Sequence, residues 1–152
     1  MNKRPVIICT DPGIDDFIAL TILLRQPQLD IRGMIVLSGN VGLPVTVNNT
    51  LLAGELCGRT DVPVLAGSAK PLARPARTAS NIHGASGLGK SSERYSQRKP
   101  LTQAAAERMG RRSKAAIYFF NIELLHSTGS AVLLCILRAR KWEKCGFIPY
   151  FF

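Results

Sequence analysis

The chain has 152 residues, 46% of them hydrophobic, so it can bury one real core and is not a disordered polymer. Nine prolines and 13 glycines without a triplet period exclude collagen-like and low-complexity classes. The net charge of +10 divides unevenly, +2 over residues 1–89 and +8 over residues 90–152, which is not the distribution of a uniformly basic nucleic-acid binder. Four widely spaced cysteines, Cys9, Cys57, Cys135 and Cys145, form no CxxC pair, so neither a zinc ribbon nor a dense disulfide scaffold is expected. The opening apolar run is only five residues long and leads into an aspartate, unlike a secretory leader. A reducing, cytoplasmic setting is the expectation.

In chain order, Val6–Cys9 is a β-branched run that meets a tight turn, Thr10-Asp11-Pro12-Gly13, and reads as a buried strand. Asp15-Asp16 then opens an apolar stretch to Leu24 that predicts a helix packed on a sheet. A second strand is expected from Ile31 to Leu37, stopping at Ser38-Gly39-Asn40, and a second helix from Val45 to Leu56 with Gly58 as its stop. Val62–Leu65 predicts a third strand. This alternation is the pattern of parallel βαβ units, an α/β, Rossmann-like open and mostly parallel sheet with flanking helices. Ligands of such sheets bind outside the carboxyl ends of the strands, where Asp11, Asp15, Asp16 and Asn40 all fall.

Three carboxylates within six residues repel one another unless a cation or a donor array compensates. Asp15 and Asp16 also suit the first turn of a helix without any catalytic purpose. Asp11 precedes the turn and is not explained that way. Oxygen ligands clustered on a turn suit Ca²⁺ or Mg²⁺, and the lack of nearby His or Cys argues against zinc.

These residues resemble a known family. Cys9-Thr10-Asp11-Pro12-Gly13-Ile14-Asp15-Asp16 is similar to the N-terminal aspartate motif of the inosine/uridine-preferring nucleoside hydrolases. The likeness continues through Ser38-Gly39-Asn40-Val41, Asn48-Asn49, Val62–Gly67 with Lys70-Pro71-Leu72, and Asn81–Gly89, and weakly from Arg98 to Met109. The resemblance implies hydrolysis of the N-glycosidic bond of purine and pyrimidine ribonucleosides to ribose and free base, with Ca²⁺ at the bottom of the pocket. It implies Asp11 as a calcium ligand and the base that activates water, Asp16 as a second calcium ligand, and Asp15 as a holder of a ribose hydroxyl. Asn40 would line the ribose pocket, and His83 would sit on a mobile loop above it. Cys9 stands where the family most often has aspartate; a subset of the family carries cysteine there.

The resemblance divides the chain into residues 1–109, the N-terminal part of a nucleoside hydrolase domain, and residues 110–152, an unmatched basic and apolar extension. With the charge jump, a truncated or frame-shifted member is the expectation, and a catalytically inactive remnant is the alternative reading. A third is a P-loop nucleotide binder, since Gly84–Ser91 fits GxxxxGK[ST]; its mechanism needs a strand before it and a helix after it, and the preceding residues are not strand-like. Residues 115–137 are apolar-rich but contain Asn121, Glu123 and His126, so they are expected to form two helices covering the sheet, or to be an aggregation liability, and not a membrane span. The expected partner is a ribonucleoside, with no specific nucleic acid and no membrane; self-association into a homo-oligomer is left open.

Overall fold

In the computed structural model, residues 3–70, 75–90, 94–102, 118–124 and 135–141 are described. The elements are β1 (Arg4–Thr10), α1 (Ile14–Leu24), β2 (Leu29–Val36), α2 (Leu43–Leu56), β3 (Val64–Ala66), α3 (Ser80–His83), β4 (Tyr118–Leu124) and β5 (Cys135–Lys141). The sheet runs in the order β3-β2-β1-β4-β5, parallel throughout except for the antiparallel pair β4–β5. The α/β architecture expected from the sequence is therefore observed. β1 lies at the centre because its residues are wanted by neighbours on both sides: Ile8 pairs with Met34 of β2 and with Phe120 of β4.

One core cluster joins the layers. Val6 and Ile8 of β1, Ile31, Met34 and Val36 of β2, and Val62 and Val64 meet Ala19, Leu20, Leu23 and Leu24 of α1 and Val47, Leu51 and Ala53 of α2. Burying side chains of this size supplies about 1.5–3 kcal/mol each, the main favourable contribution to such a fold. α2 starts earlier than the apolar pattern predicts because Pro44 fits the first helical turn, where its missing N–H has no partner to lose. It stops as expected: Gly58 takes φ +65, which lets its N–H reach the Glu55 carbonyl and the Arg59 N–H reach that of Gly54. β3 begins two residues late because Pro63 has no N–H to give a ladder, although its carbonyl accepts from Met34.

The expectation of two helices over residues 115–137 is corrected: residues 118–124 and 135–141 form strands β4 and β5. Short apolar runs carry no period that separates helix from strand, and the open side of β1 provides a ladder that a local reading cannot see. Along the far edge, Leu101 donates its N–H to the Val64 carbonyl and bridges β3 in parallel, so residues 94–101 run beside the sheet as a strap. Asn48 holds this strap to α2, donating to the Arg94 carbonyl and accepting from the Ser96 N–H.

Candidate active site at the carboxyl end of the central strand

The chain leaves β1 to build β2 and β3 on one side and returns to place β4 on the other. The carboxyl end of β1 is thus the point where strand order reverses, and the connections on its two sides part to leave a crevice. Asp11 follows β1 directly, Pro12-Gly13 turns the chain, and Asp15 and Asp16 occupy the first turn of α1. Asn40 arrives from the loop after β2. Four of the five residues singled out from the sequence are brought together by this topology, and the fifth, His83, comes from α3.

Asn40 is the hub. Its backbone N–H donates to Asp11 Oδ2 at 2.9 Å, while its amide Nδ2 donates to Asp16 Oδ2 at 2.7 Å and to the Asp11 carbonyl at 3.0 Å. Asp16 Oδ2 also accepts the Gly13 N–H at 3.4 Å, so this side chain caps α1 as well as facing the cluster. Gly39 is needed for close approach: any Cβ there would collide with the Asp11 carboxylate.

Electrostatics follow from crowding. Burial, reinforced by the charges of Asp11 and Asp15, pushes the Asp16 carboxyl up to about 7. Burial also raises Asp11, opposed by the Asn40 N–H and assisted by the Asp15 charge. A buried carboxylate raised by the charge of its half-buried neighbour Asp11 makes a site that gains from positive charge. Cys9, just before them, is held as a neutral thiol by burial, its pKa raised to about 12. It adds no further negative charge.

His83 is buried in α3, its Nδ1 accepting the Ile14 N–H at 3.2 Å. That bond assigns the proton to Nε2, and the ring lies so close to Gly13 that an added Cβ would sit 2.7 Å from it. Asp15 Oδ1 lies 3.9 Å from the same nitrogen, too far for a hydrogen bond, and is buried without a hydrogen-bond partner among the described residues. An acceptor left over in this way is placed to receive a ligand hydroxyl.

The glycine-rich segment does not form a phosphate cradle. It follows helix α3, not a strand, and its amides are spent internally: Gly87 donates to the Gly84 carbonyl, Leu88 to Ser86 Oγ and Gly89 to the His83 carbonyl. Lys90 is exposed, while Ser91 and His126 lie outside the described residues. An open groove of about 1120 Å³ lies elsewhere, between α1, α2 and the strap, lined by Phe17, Ile18, Leu52 and Tyr95. Its carboxylate, Glu55, is engaged by the Ser96 hydroxyl.

An open parallel sheet with an acidic cluster at its switch point defines an α/β enzyme fold of the nucleoside hydrolase type. The model of the inosine-uridine preferring nucleoside hydrolase family matches residues 6–136, and the chain belongs to that family. The match runs past residue 109, where the resemblance in the sequence fades, and takes in β4. Among curated relatives, the pyrimidine-specific ribonucleoside hydrolase RihA of Photobacterium profundum is 45% identical over 86 residues, 57% of this chain and 28% of that protein. The non-specific ribonucleoside hydrolase RihC of Klebsiella pneumoniae is 40% identical over 103 residues, 68% of this chain and 34% of that one. A plant nucleoside hydrolase structure superposes with a TM-score of 0.60 at 41% identity, covering 64% of this chain and 31% of its own. An inosine-guanosine nucleoside hydrolase gives 0.61 at 26% identity, covering 77% and 38%. The chain thus spans about a third of the length of these relatives. Among the described residues, no helix is long and apolar enough to cross a membrane.

Proposed function

We propose that this chain hydrolyses the N-glycosidic bond of purine and pyrimidine ribonucleosides to ribose and free base in a calcium-dependent reaction. The observation that carries the reading is the pair of carboxylates, half-buried Asp11 and buried Asp16, tied to one asparagine at the strand end. Family membership supports ribonucleosides as the substrate class.

The donor set fits a hard cation in kind, being all oxygen. Asp11 and Asp16 would hold it. Among the described residues no three His, Cys, Asp or Glu side chains converge on one point, so these two carboxylates are a part of a shell that reaches about 6–8 oxygens around calcium. When bound, the cation supplies charge that offsets the two carboxylates and lowers the pKa of a coordinated water.

The chain's own residues do the rest. Asp11, its pKa raised above the ordinary carboxylate value by burial, accepts a proton from the attacking water. Asp15, through its unpartnered Oδ1, accepts a hydrogen bond from a ribose hydroxyl and fixes the sugar. Asn40 keeps the carboxylates in register and lines the ribose side of the site. His83 closes over the turn from α3. The water oxygen bonds to C1′ as the C1′–N bond breaks, and the base leaves with the bonding pair through an oxocarbenium-like transition state and takes a proton from solvent, while Asp11 returns its own to solvent.

The test is isothermal titration with calcium beside ribose release from inosine and uridine. Calcium binding together with ribose release is the expected result. Neither binding nor release would leave the chain a family member without turnover. A variant probes the geometry: Gly39→Ala, which drives a methyl into the Asp11 carboxylate, is expected to lower ribose release about 10²-fold, as misplacements near 1 Å do. Its stability cost, read from urea unfolding, is expected at about 1–3 kcal/mol. Unchanged release in Gly39→Ala would remove Asp11 from the chemistry.

A further inference from the structure

We infer that Asn49 is a positioning residue of this site, the clamp that sets the glycine-rich loop against the aspartate turn; the inference rests on the reading of the strand end as a ribonucleoside site. Asn49 lies on α2, is 1% exposed and has no place in the acidic cluster. A polar amide so deeply buried needs partners, and it has two from separate segments. Its Nδ2 donates to the Pro12 carbonyl at 3.2 Å and to the Ser86 carbonyl at 3.0 Å. Both partners are carbonyls, which fixes the orientation of the amide and uses both of its N–H groups.

The two carbonyls belong to segments 74 residues apart in sequence. Pro12 sits between Asp11 and the start of α1. Ser86 sits in the loop that follows His83, whose ring rests on Gly13 and accepts from Ile14. The loop descends onto Asn49 so closely that a Cβ on Gly87 would come within 2.8 Å of Nδ2, with Gly87 at φ +72. One side chain on a rigid helix therefore sets the height of the loop and of His83 above the carboxylates. Without the clamp the Pro12 and Ser86 carbonyls lose this shared donor.

The experiment compares Asn49→Asp with Thr50→Val in the full chain. Asparagine to aspartate keeps the shape and removes both donors, placing carboxylate oxygens against carbonyls. The hydroxyl of Thr50, adjacent and equally buried, donates to the Thr46 carbonyl within α2, so its valine variant controls for damage to the helix. Hydrogen exchange of the Gly87 and Gly89 amides is the direct readout, with KM and kcat for ribonucleoside hydrolysis beside it. Asn49→Asp is expected to speed exchange at both glycines at least about tenfold relative to the Leu20 amide, the effect of losing about one hydrogen bond. KM is expected to rise about tenfold with kcat changed less than about threefold, the pattern of weakened substrate capture. Gly87→Ala, which pushes the loop off the same amide from the other side, is expected to act alike, and Thr50→Val to do neither. Loop exchange in Asn49→Asp no faster than in Thr50→Val overturns the inference. Should Asn49→Asp fail to fold, unaltered loop exchange in Gly87→Ala overturns it. If the parent chain releases no ribose, the hydrolase reading fails while loop exchange still decides the role of Asn49.

Discussion

Asp11→Asn is expected to abolish ribose release to within about 10²–10⁴-fold below the parent chain, the usual contribution of a positioned general base. Asparagine is nearly isosteric, and its carbonyl oxygen can still accept the Asn40 N–H that Asp11 Oδ2 accepts at 2.9 Å. What disappears is charge and basicity. The same variant is expected to weaken calcium, because one of two carboxylates in the proposed shell is gone.

Stability should move in the opposite direction. Asp11 is raised by burial and raises Asp16 in turn, so the two charges oppose each other in the folded chain. Removing one relieves that repulsion, and the metal-free Asp11→Asn variant is expected to melt at a higher temperature than the parent, a trade of stability for function at the site. Thermal unfolding without calcium and ribose release with it, on one preparation, check both signs. Retained turnover in Asp11→Asn, or a lower melting temperature without metal, would show that this carboxylate is not the strained base assigned here.

The second large effect is on pH. The Asp16 carboxyl is raised from an ordinary 3.8 to about 7, by burial first and by Asp11 and Asp15 next. A folded-state value above the unfolded one means that the folded chain holds the proton more tightly. The stabilisation this gives is full below about pH 4 and is lost as the pH rises through about 7. The metal-free chain is therefore expected to lose stability from pH 5 to pH 8.

Calcium binding should show the reverse trend, because the cation competes with that proton. Affinity is expected to climb by up to about tenfold per pH unit between pH 5 and 7 and then level off, with proton release on binding below pH 7. Calcium should accordingly raise the melting temperature far more at pH 8 than at pH 5. Titrations in two buffers of different ionisation enthalpy measure the proton directly. Affinity independent of pH across this window would place the cation away from Asp16.

Much of the fold is legible in the local sequence. The β-branched run before Asp11, the helix opened by Asp15-Asp16, and Gly58 as the stop of α2 depend on interactions within a few residues, so their residue types and spacing determine them. The acidic turn and Asn40 are legible for the same reason: each follows a strand, and in a parallel sheet all carboxyl ends lie on one edge. Family resemblance assigned chemistry to those positions but not their contacts.

Other features belong to tertiary structure alone. The YFFNIEL segment becomes a strand because the central strand has an unfilled side, a demand set by residues more than a hundred positions away, and CILRARK then pairs antiparallel with it. The GxxxxGK[ST] match loses its meaning when α3 precedes it and its amides bond inward. Asn49 is one more polar residue in an amphipathic stretch until two loops converge on it, and Gly39 is an ordinary turn glycine until the Asp11 carboxylate arrives beside it. Local spacing determined which residues reach the strand ends; only packing decided which of them touch, because a buried donor or an excluded Cβ is defined by atoms brought from elsewhere in the chain.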